Sequence, residues 1–218
     1  MKSTIVIPNY NGMAYLEKCL SSIVEDVKSH PARILVVDNG SADGSCELAE
    51  GTAGVEVVRM GENTGFCRAV NAGIQASDTT DVILLTNDLA VESGFIKAME
   101  AALDNDPKAF SAGAQMRMMK APDRMDNAGD YYCALGWAYD YGKGKKVSGK
   151  YLKPRRIFAA CGGAAIYRRS IMDRIGLFDE KHFAYLEDVD IGYRARIYGY
   201  HNLYEPKALA YHAGSSVS

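Results

Sequence analysis

No stretch of this 218-residue chain approaches the ~20 consecutive apolar residues that a membrane-spanning helix requires. The segment Met1-Lys2-Ser3-Thr4-Ile5-Val6-Ile7 ahead of Pro8 is too short in apolar residues for a secretory leader. Neither secretion nor insertion into a membrane is expected. Charge of one sign is also lacking: 25 Lys and Arg face 27 Asp and Glu, for a net charge of −2, and no polyelectrolyte tail is present. That balance removes nucleic acid from the expected partners and favours a small molecule. The five cysteines are odd in number and have no CxxC spacing, which excludes a disulfide framework and a structural zinc site. A reducing cytoplasm fits, and peripheral contact with the inner face of a membrane is compatible with it. Internal repeats and low-complexity segments are absent. What remains is an ordinary globular composition, 48% hydrophobic and 24% charged, in a chain long enough for one sizeable core. One domain over 1–218 is expected, with a first half over 1–108 and a second half over 109–218.

The first half alternates two periodicities. Thr4 to Pro8 reads as a strand, after which Leu16, Cys19, Leu20, Ile23, Val24 and Val27 recur three and four apart as one helix face. Ile34 to Val37 and Val82 to Leu85 are continuous apolar runs, as expected of strands covered by helices on both sides of a parallel sheet. Val55 to Arg59 reads as a further strand, Gly65 to Ala76 as a helix, and Phe95, Ile96, Met99 and Leu103 mark another helix. Repeated βαβ units predict an open, mostly parallel α/β sheet flanked by helices, with a ligand crevice at the carboxyl ends of its strands. From about Ala109 the chain becomes richer in Gly, Tyr and Met. There Lys143-Gly144-Lys145-Lys146 reads as an exposed loop, Ile157 to Arg168 as a strand interrupted by Gly162-Gly163, and Asp188 to Tyr198 as a helix.

Four polar clusters fall at the expected strand tips: Pro8-Asn9-Tyr10-Asn11-Gly12, Asp38-Asn39-Gly40-Ser41, Asn63-Thr64-Gly65 and Asn87-Asp88. Each alone is an ordinary turn or helix cap. Jointly they line one edge of a sheet. Asp88 stands out because it ends the run Val82-Ile83-Leu84-Leu85-Thr86-Asn87, which delivers a carboxylate to the tip of a buried strand. Tyr185-Leu186-Glu187-Asp188-Val189-Asp190 adds a second acidic cluster and His212 a late imidazole.

Ile5-Val6-Ile7-Pro8-Asn9-Tyr10-Asn11, Val36-Val37-Asp38-Asn39-Gly40-Ser41, Leu84-Leu85-Thr86-Asn87-Asp88, Phe178-Asp179-Glu180 and Glu187-Asp188-Val189-Asp190 together resemble family 2 glycosyltransferases of the GT-A fold, most of all the rhamnosyltransferase-like branch. The likeness runs in order from residue 4 to about 216. It implies an inverting transferase that uses a nucleotide-diphosphate sugar, dTDP- or UDP-linked, a divalent Mg²⁺ or Mn²⁺, and a saccharide or lipid-linked saccharide acceptor in polysaccharide assembly. On this resemblance Asp38 accepts the imide N–H of a uracil or thymine ring, and Pro8, Asn9 and Tyr10 form the wall beside it. Asn87 contacts the ribose, and Asp88 is the metal ligand. Leu89 and Ala90 follow, so a full Asp-x-Asp triplet is missing and metal affinity without nucleotide is expected to be weak. His212 completes the metal shell. Asp188 is the general base, at a helix start where N–H groups and the dipole favour an ionised carboxylate. Glu187 is the second candidate for that role, or binds acceptor hydroxyls.

Other residues have evenly balanced readings. Arg68 either approaches the diphosphate or sits on a solvated helix face. Gly162 and Gly163 either let the backbone approach donor sugar or acceptor closely or pack within a strand. Trp137, among Tyr131, Tyr132, Tyr139 and Tyr141, either stacks on sugar or packs. His212 has a structural reading as well. Two other classes of function stay open: a nucleotide-binding module that no longer transfers, and a nucleotidyltransferase. The second lacks the Gly-rich, Lys- or Arg-bearing triphosphate loop after the first strand.

Overall fold

In the computed structural model the described residues are 1–214. Positions 215 and 216, where the family resemblance ends, lie outside them. Along the chain run β1 (Ser3–Asn9), α1 (Met13–Ser29), β2 (Arg33–Asp38), α2 (Ser45–Gly51), β3 (Val55–Arg59), α3 (Phe66–Ala76), β4 (Asp81–Leu85), β5 (Leu89–Val91) and α4 (Phe95–Asp104). There follow β6 (Ala109–Met118), β7 (Ala121–Asn127), β8 (Asp130–Tyr132), β9 (Ala138–Asp140), β10 (Arg155–Ile157), β11 (Ala164–Arg168), α5 (Arg169–Ile175), α6 (Glu187–Ile197) and β12 (His201–His212).

Ten strands form one sheet in the order β10-β12-β6-β11-β4-β1-β2-β3, with β5 added to β12 and β7 to β6. β1 to β4 are mutually parallel. β11 enters antiparallel between β4 and β6, and β6 pairs with β12 in parallel. The sheet is therefore mixed, mostly parallel and flanked by helices. Its continuous apolar runs feed two cores because side chains alternate across a strand. Ile5, Ile7, Ile83 and Leu85 point to the side covered by α1 and α4, while Val6, Val82 and Leu84 point to the side of α3, α5 and α6. Removing one such isoleucine or leucine side chain would forfeit about 2–5 kcal/mol.

Residues 157–168 do not form the single interrupted strand expected from sequence. β10 ends at Ile157 on the sheet edge beside β12, and β11 begins at Ala164 three strands away. The residues between them cross the sheet end, and the Gly162-Gly163 pair belongs to that crossing. The helix expected from Asp188 starts at Glu187. β12, the longest strand, gives little sequence signal because Asn202, Glu205, Pro206 and Lys207 interrupt its alternation.

Candidate active site

Three strand tips and two connections converge at one end of the sheet. At β1 the Asn9 amide donates to Asp38 Oδ1 at 3.0 Å and to Ser45 Oγ at 2.9 Å, and its oxygen accepts from Asn87 Nδ2 at 2.8 Å. The Ser41 N–H donates to Asp38 Oδ2 at 3.1 Å. Asn39 continues the network to the next tip, donating to Asn63 Oδ1 and accepting from the Thr64 N–H, both at 3.0 Å. Gly12 is a glycine for a visible reason. A Cβ there would lie 2.1 Å from Asn87 Nδ2 and 2.2 Å from Asn9 Oδ1, inside the amide pair that ties β1 to β4.

Asp88 meets His212 through the topology of β12. β12 pairs with β5 so that His212 lies opposite Leu89, and the Ala213 N–H donates to the Asp88 carbonyl. His212 Nε2 is 3.0 Å from Asp88 Oδ2, and Nδ1 is 2.8 Å from Asp126 Oδ2 on β7. The Thr86 hydroxyl donates to Asp88 Oδ1 at 2.8 Å. Burial acts to raise the Asp88 pKa, but the hydrogen bond and charge of His212 and the Thr86 hydroxyl outweigh it and hold the carboxyl below its ordinary range. Burial likewise acts to lower His212, yet its two carboxylate partners raise it to about 9. The imidazolium thus bridges two carboxylates. A carboxylate oxygen and an imidazole nitrogen stand side by side, with the far ring nitrogen held by Asp126, a mixed oxygen and nitrogen donor pair of the kind that can ligate a divalent cation.

The acidic pair sits opposite. It follows Tyr185 and Leu186, both non-glycine residues with positive φ, 72° and 66°, a conformation that costs about 1–2 kcal/mol per residue. This bend starts α6 and turns its first two side chains inward. Asp188 Oδ2 accepts the Gly162 N–H at 3.0 Å and Oδ1 accepts the Val189 N–H at 2.7 Å. Glu187 is buried, at 6% exposure, with Oε2 lacking a hydrogen-bond partner. Its burial, with the neighbouring charge of Asp188, pushes it up to about 7. The loop is docked by the Phe183 carbonyl, which accepts the Phe66 N–H at 2.8 Å where Gly65, at φ +90°, turns into α3.

Between these walls lies a cleft of about 460 Å³ lined by Asp88, His212, Glu187, Asp188, Gly162 and Gly163, among others. The remaining expected site residues surround it or stand apart. Asp38, Asn9 and Asn87 belong to the adjoining amide network, with Pro8 in β1 and Tyr10 half exposed beside them. Arg68, exposed on α3, pairs with Glu180 at 3.4 Å. Trp137 is 72% exposed at the tip of the β8–β9 hairpin, outside the lining.

Several lining residues escaped the sequence reading. Asp126 positions His212. Asp130, buried, accepts the Asn127 amide at 2.6 Å, and the side-chain oxygens and sulfur of Asp130, Asp188 and Cys161 lie within 4.8 Å of one another. Burial first and the negative charge of Asp188 second push Asp130 well above the usual carboxylate range, and burial raises the Cys161 thiol. The one available signal was two acids four apart in Asp126-Asn127-Ala128-Gly129-Asp130. That spacing reads equally as a turn.

The chain is 28% identical to the N-acetylglucosaminyl-diphospho-decaprenol L-rhamnosyltransferase of Mycobacterium tuberculosis, over 95% of this chain and 75% of that protein. Its fold matches GalNAc-T7, solved with UDP, GalNAc and Mn²⁺, with a TM-score of 0.79 at 17% identity over 97% of this chain and 44% of that one. It also matches the mannosyltransferase PcManGT of Pyrobaculum calidifontis, solved with GDP-Man and Mn²⁺, with a TM-score of 0.72 at 17% identity over 99% and 57%. The chain therefore spans about half the length of these two solved enzymes, and the shared architecture is the GT-A fold. Among the described residues no helix is long and apolar enough to cross a membrane. The model of glycosyl transferase family 2 matches residues 4–176, which takes in the amide network, Asp88 and the two glycines, and the chain belongs to that family of enzymes.

Proposed function

We propose that this chain is a metal-dependent inverting transferase that moves a sugar from a dTDP- or UDP-sugar to a hydroxyl of a saccharide or lipid-linked saccharide acceptor, in polysaccharide assembly. The observation that carries the reading is that the Asp88–His212–Asp126 chain and the Glu187–Asp188 pair line the same cleft. A leaving-group side and an acceptor side then face each other. The chain works as one domain, 1–108 holding nucleotide and 109–218 holding acceptor.

In this reading Asp38 accepts the base imide N–H, with Pro8, Asn9 and Tyr10 beside the ring and Asn87 toward the ribose. Asp88 and His212 would hold Mg²⁺ or Mn²⁺, for which His212 would have to give up its Nε2 proton. A cation held there would supply positive charge toward the departing diphosphate. Asp188, oriented by two backbone N–H groups, takes the proton of the acceptor hydroxyl. The acceptor oxygen bonds to the anomeric carbon as the bond to the diphosphate oxygen breaks. The electron pair leaves with the diphosphate, and attack from the opposite face inverts the configuration. Glu187, largely protonated below about 7, lines the cleft beside Asp188 and is the second candidate for the base or for contact with acceptor hydroxyls. Gly162 spends its N–H on Asp188, so the two glycines act mainly by leaving room for the sugars.

Calorimetric titration with UDP, dTDP, GDP and CDP, each with Mn²⁺ and again with chelator, tests the donor half. Metal-dependent binding selective for UDP or dTDP is expected. Selectivity for GDP or CDP, or equal binding with chelator, overturns it.

A further inference from the structure

We propose that the β8–β9 hairpin and the basic segment beside it form a docking surface for a membrane rich in anionic phospholipid. Seven of the fourteen residues from 143 to 156 are Lys or Arg, and none is Asp or Glu. In a chain of net charge −2 this concentrates positive charge on one segment. Lys143 is tied to Asp140 at 2.8 Å, but Lys145, Lys146 and Lys153 are exposed and make no ion pair among the described residues. Exposed cations without partners are what an anionic surface attracts.

Apolar groups are mixed into the same region. At the hairpin tip Leu135 is 86% exposed and Trp137 72%, and Leu152 in the basic segment is 52% exposed. Leaving leucine and tryptophan in water at a turn gains nothing for folding, whereas a tryptophan beside lysines suits the boundary between headgroups and acyl chains. The two pieces are joined by ring contacts. Tyr139 stacks on Tyr131 with centroids 5.8 Å apart, and Tyr131 packs on Tyr141 at 5.6 Å. Tyr141 in turn carries the Arg155 guanidinium at 4.6 Å and the Lys150 ammonium at 5.8 Å from its ring centre. This ladder packs the hairpin against the cationic segment, so the Trp-bearing tip and the basic residues belong to neighbouring parts of one surface.

The position supplies the purpose. Ala138, Tyr139, Asp140 and Lys143 line the cleft, directly after the exposed Trp137. A surface resting on lipid through the hairpin tip would bring the cleft mouth to the headgroup layer, where the reacting end of a lipid-linked acceptor lies. This purpose rests on the proposed transfer reading. The docking itself does not.

Trp137 is the single tryptophan of the chain and reports on its own environment. With phosphatidylglycerol-containing vesicles its emission should shift to the blue and become protected from acrylamide, and high salt should reverse both. Pure phosphatidylcholine vesicles should give much less. The variant Lys145→Gln/Lys146→Gln/Lys153→Gln should lower vesicle partitioning on the order of a hundredfold, from about fivefold per lysine, with an unchanged melting temperature. Leu135→Ser should weaken binding while leaving its salt dependence. The proposal fails if anionic vesicles leave Trp137 emission unchanged, if the triple variant binds like the parent, or if neutral vesicles bind as well as anionic ones. It fails equally if single-stranded RNA alone produces the shift. Nucleotide titration of the same samples is read separately, so loss of donor binding with retained vesicle binding would count against the transferase reading alone.

Discussion

At the tips of β1 to β4 the polar side chains are mostly amides and hydroxyls bonded to one another: Asn9 to Asp38, Asn87 and Ser45, and Asn39 to Asn63 and Thr64. Across the cleft the polar groups are carboxyls crowded together, with Asp130 against Asp188 and one Glu187 oxygen without a partner. The first arrangement satisfies itself and keeps its shape without ligand, as a binding surface should. The second is held by the surrounding fold against its own preference, with strain at Tyr185 and Leu186 and two carboxyls pushed upward. Carboxyls with perturbed protonation beside a cleft are the groups to test for a part in reaction. Asp88 and His212 lie at the seam, joined by a proton that a cation would replace.

The sharpest way to break this comparison is to remove one carboxylate from each side. Asp188→Asn should lower transfer about 10²–10⁴-fold, the usual worth of a general base, while nucleotide affinity with Mn²⁺ stays near that of the parent. Asp88→Ala should weaken nucleotide binding in the presence of Mn²⁺ and change it little in chelator. Calorimetry beside a turnover assay separates the two, and equal loss of binding in both variants would abolish the proposed division of roles.

A smaller effect is expected one step from the seam. Asp126 touches no proposed ligand, yet it fixes the His212 ring through Nδ1. Asp126→Ala should weaken Mn²⁺-dependent nucleotide binding about 10–100-fold, as loss of a partner to a ligating histidine generally does. In chelator the variant should bind nucleotide like the parent. A deficit that persists in chelator would mean that Asp126 supports the fold rather than the metal.

How legible these regions were from sequence follows the same division. The β1 to β4 half repeats two local patterns, apolar strand and amphipathic helix, and its amide loops follow directly after each strand. Proximity in the fold could therefore be read from position in the sequence. The other half is built from long-range pairings: β11 inserts between β4 and β6, and β12 reaches back to β5. Asp126 and Asp130 acquire meaning only when His212 of β12 and Asp188 of α6, both remote in the chain, are brought against them. The error over residues 157–168 has the same origin, since β10 and β11 are each short and receive their places from partners that are distant in the chain. His212 was found through family resemblance alone, for nothing local distinguishes it.

Protonation offers a test of the strained side that does not depend on activity. Glu187 is raised by burial from 4.5 to about 7, so in this interval the folded protein binds more protons than the unfolded chain. The stability linked to Glu187 is fully present below about 4.5 and is lost as pH rises toward about 7. The full difference is on the order of 3 kcal/mol at most. Glu187→Gln removes the titration, so the difference in melting temperature between variant and parent should move in the variant's favour between these pH values. At about 2–4 °C per kcal/mol for a domain of this size, the change is measurable by calorimetry. A pH-independent difference would show that Glu187 does not titrate in that interval.

The smallest effect concerns Arg68, which the comparison assigns to neither side. Its one ion pair among the described residues, to Glu180 at 3.4 Å, joins two side chains that are about half exposed. Water screens such a pair, and losing it should cost less than about 1 kcal/mol. Arg68→Ala should therefore leave the melting temperature nearly unchanged. Its effect on donor use is what distinguishes the two readings of this residue. A guanidinium on a solvated helix face leaves KM and kcat as they were. If the guanidinium instead swings from Glu180 to the diphosphate, Arg68→Ala raises KM for the nucleotide sugar several-fold, and Glu180→Gln, which frees the guanidinium, should lower it. Opposite shifts in the two variants would add Arg68 to the donor side of the cleft, whereas no shift in either would leave it as a surface charge on α3.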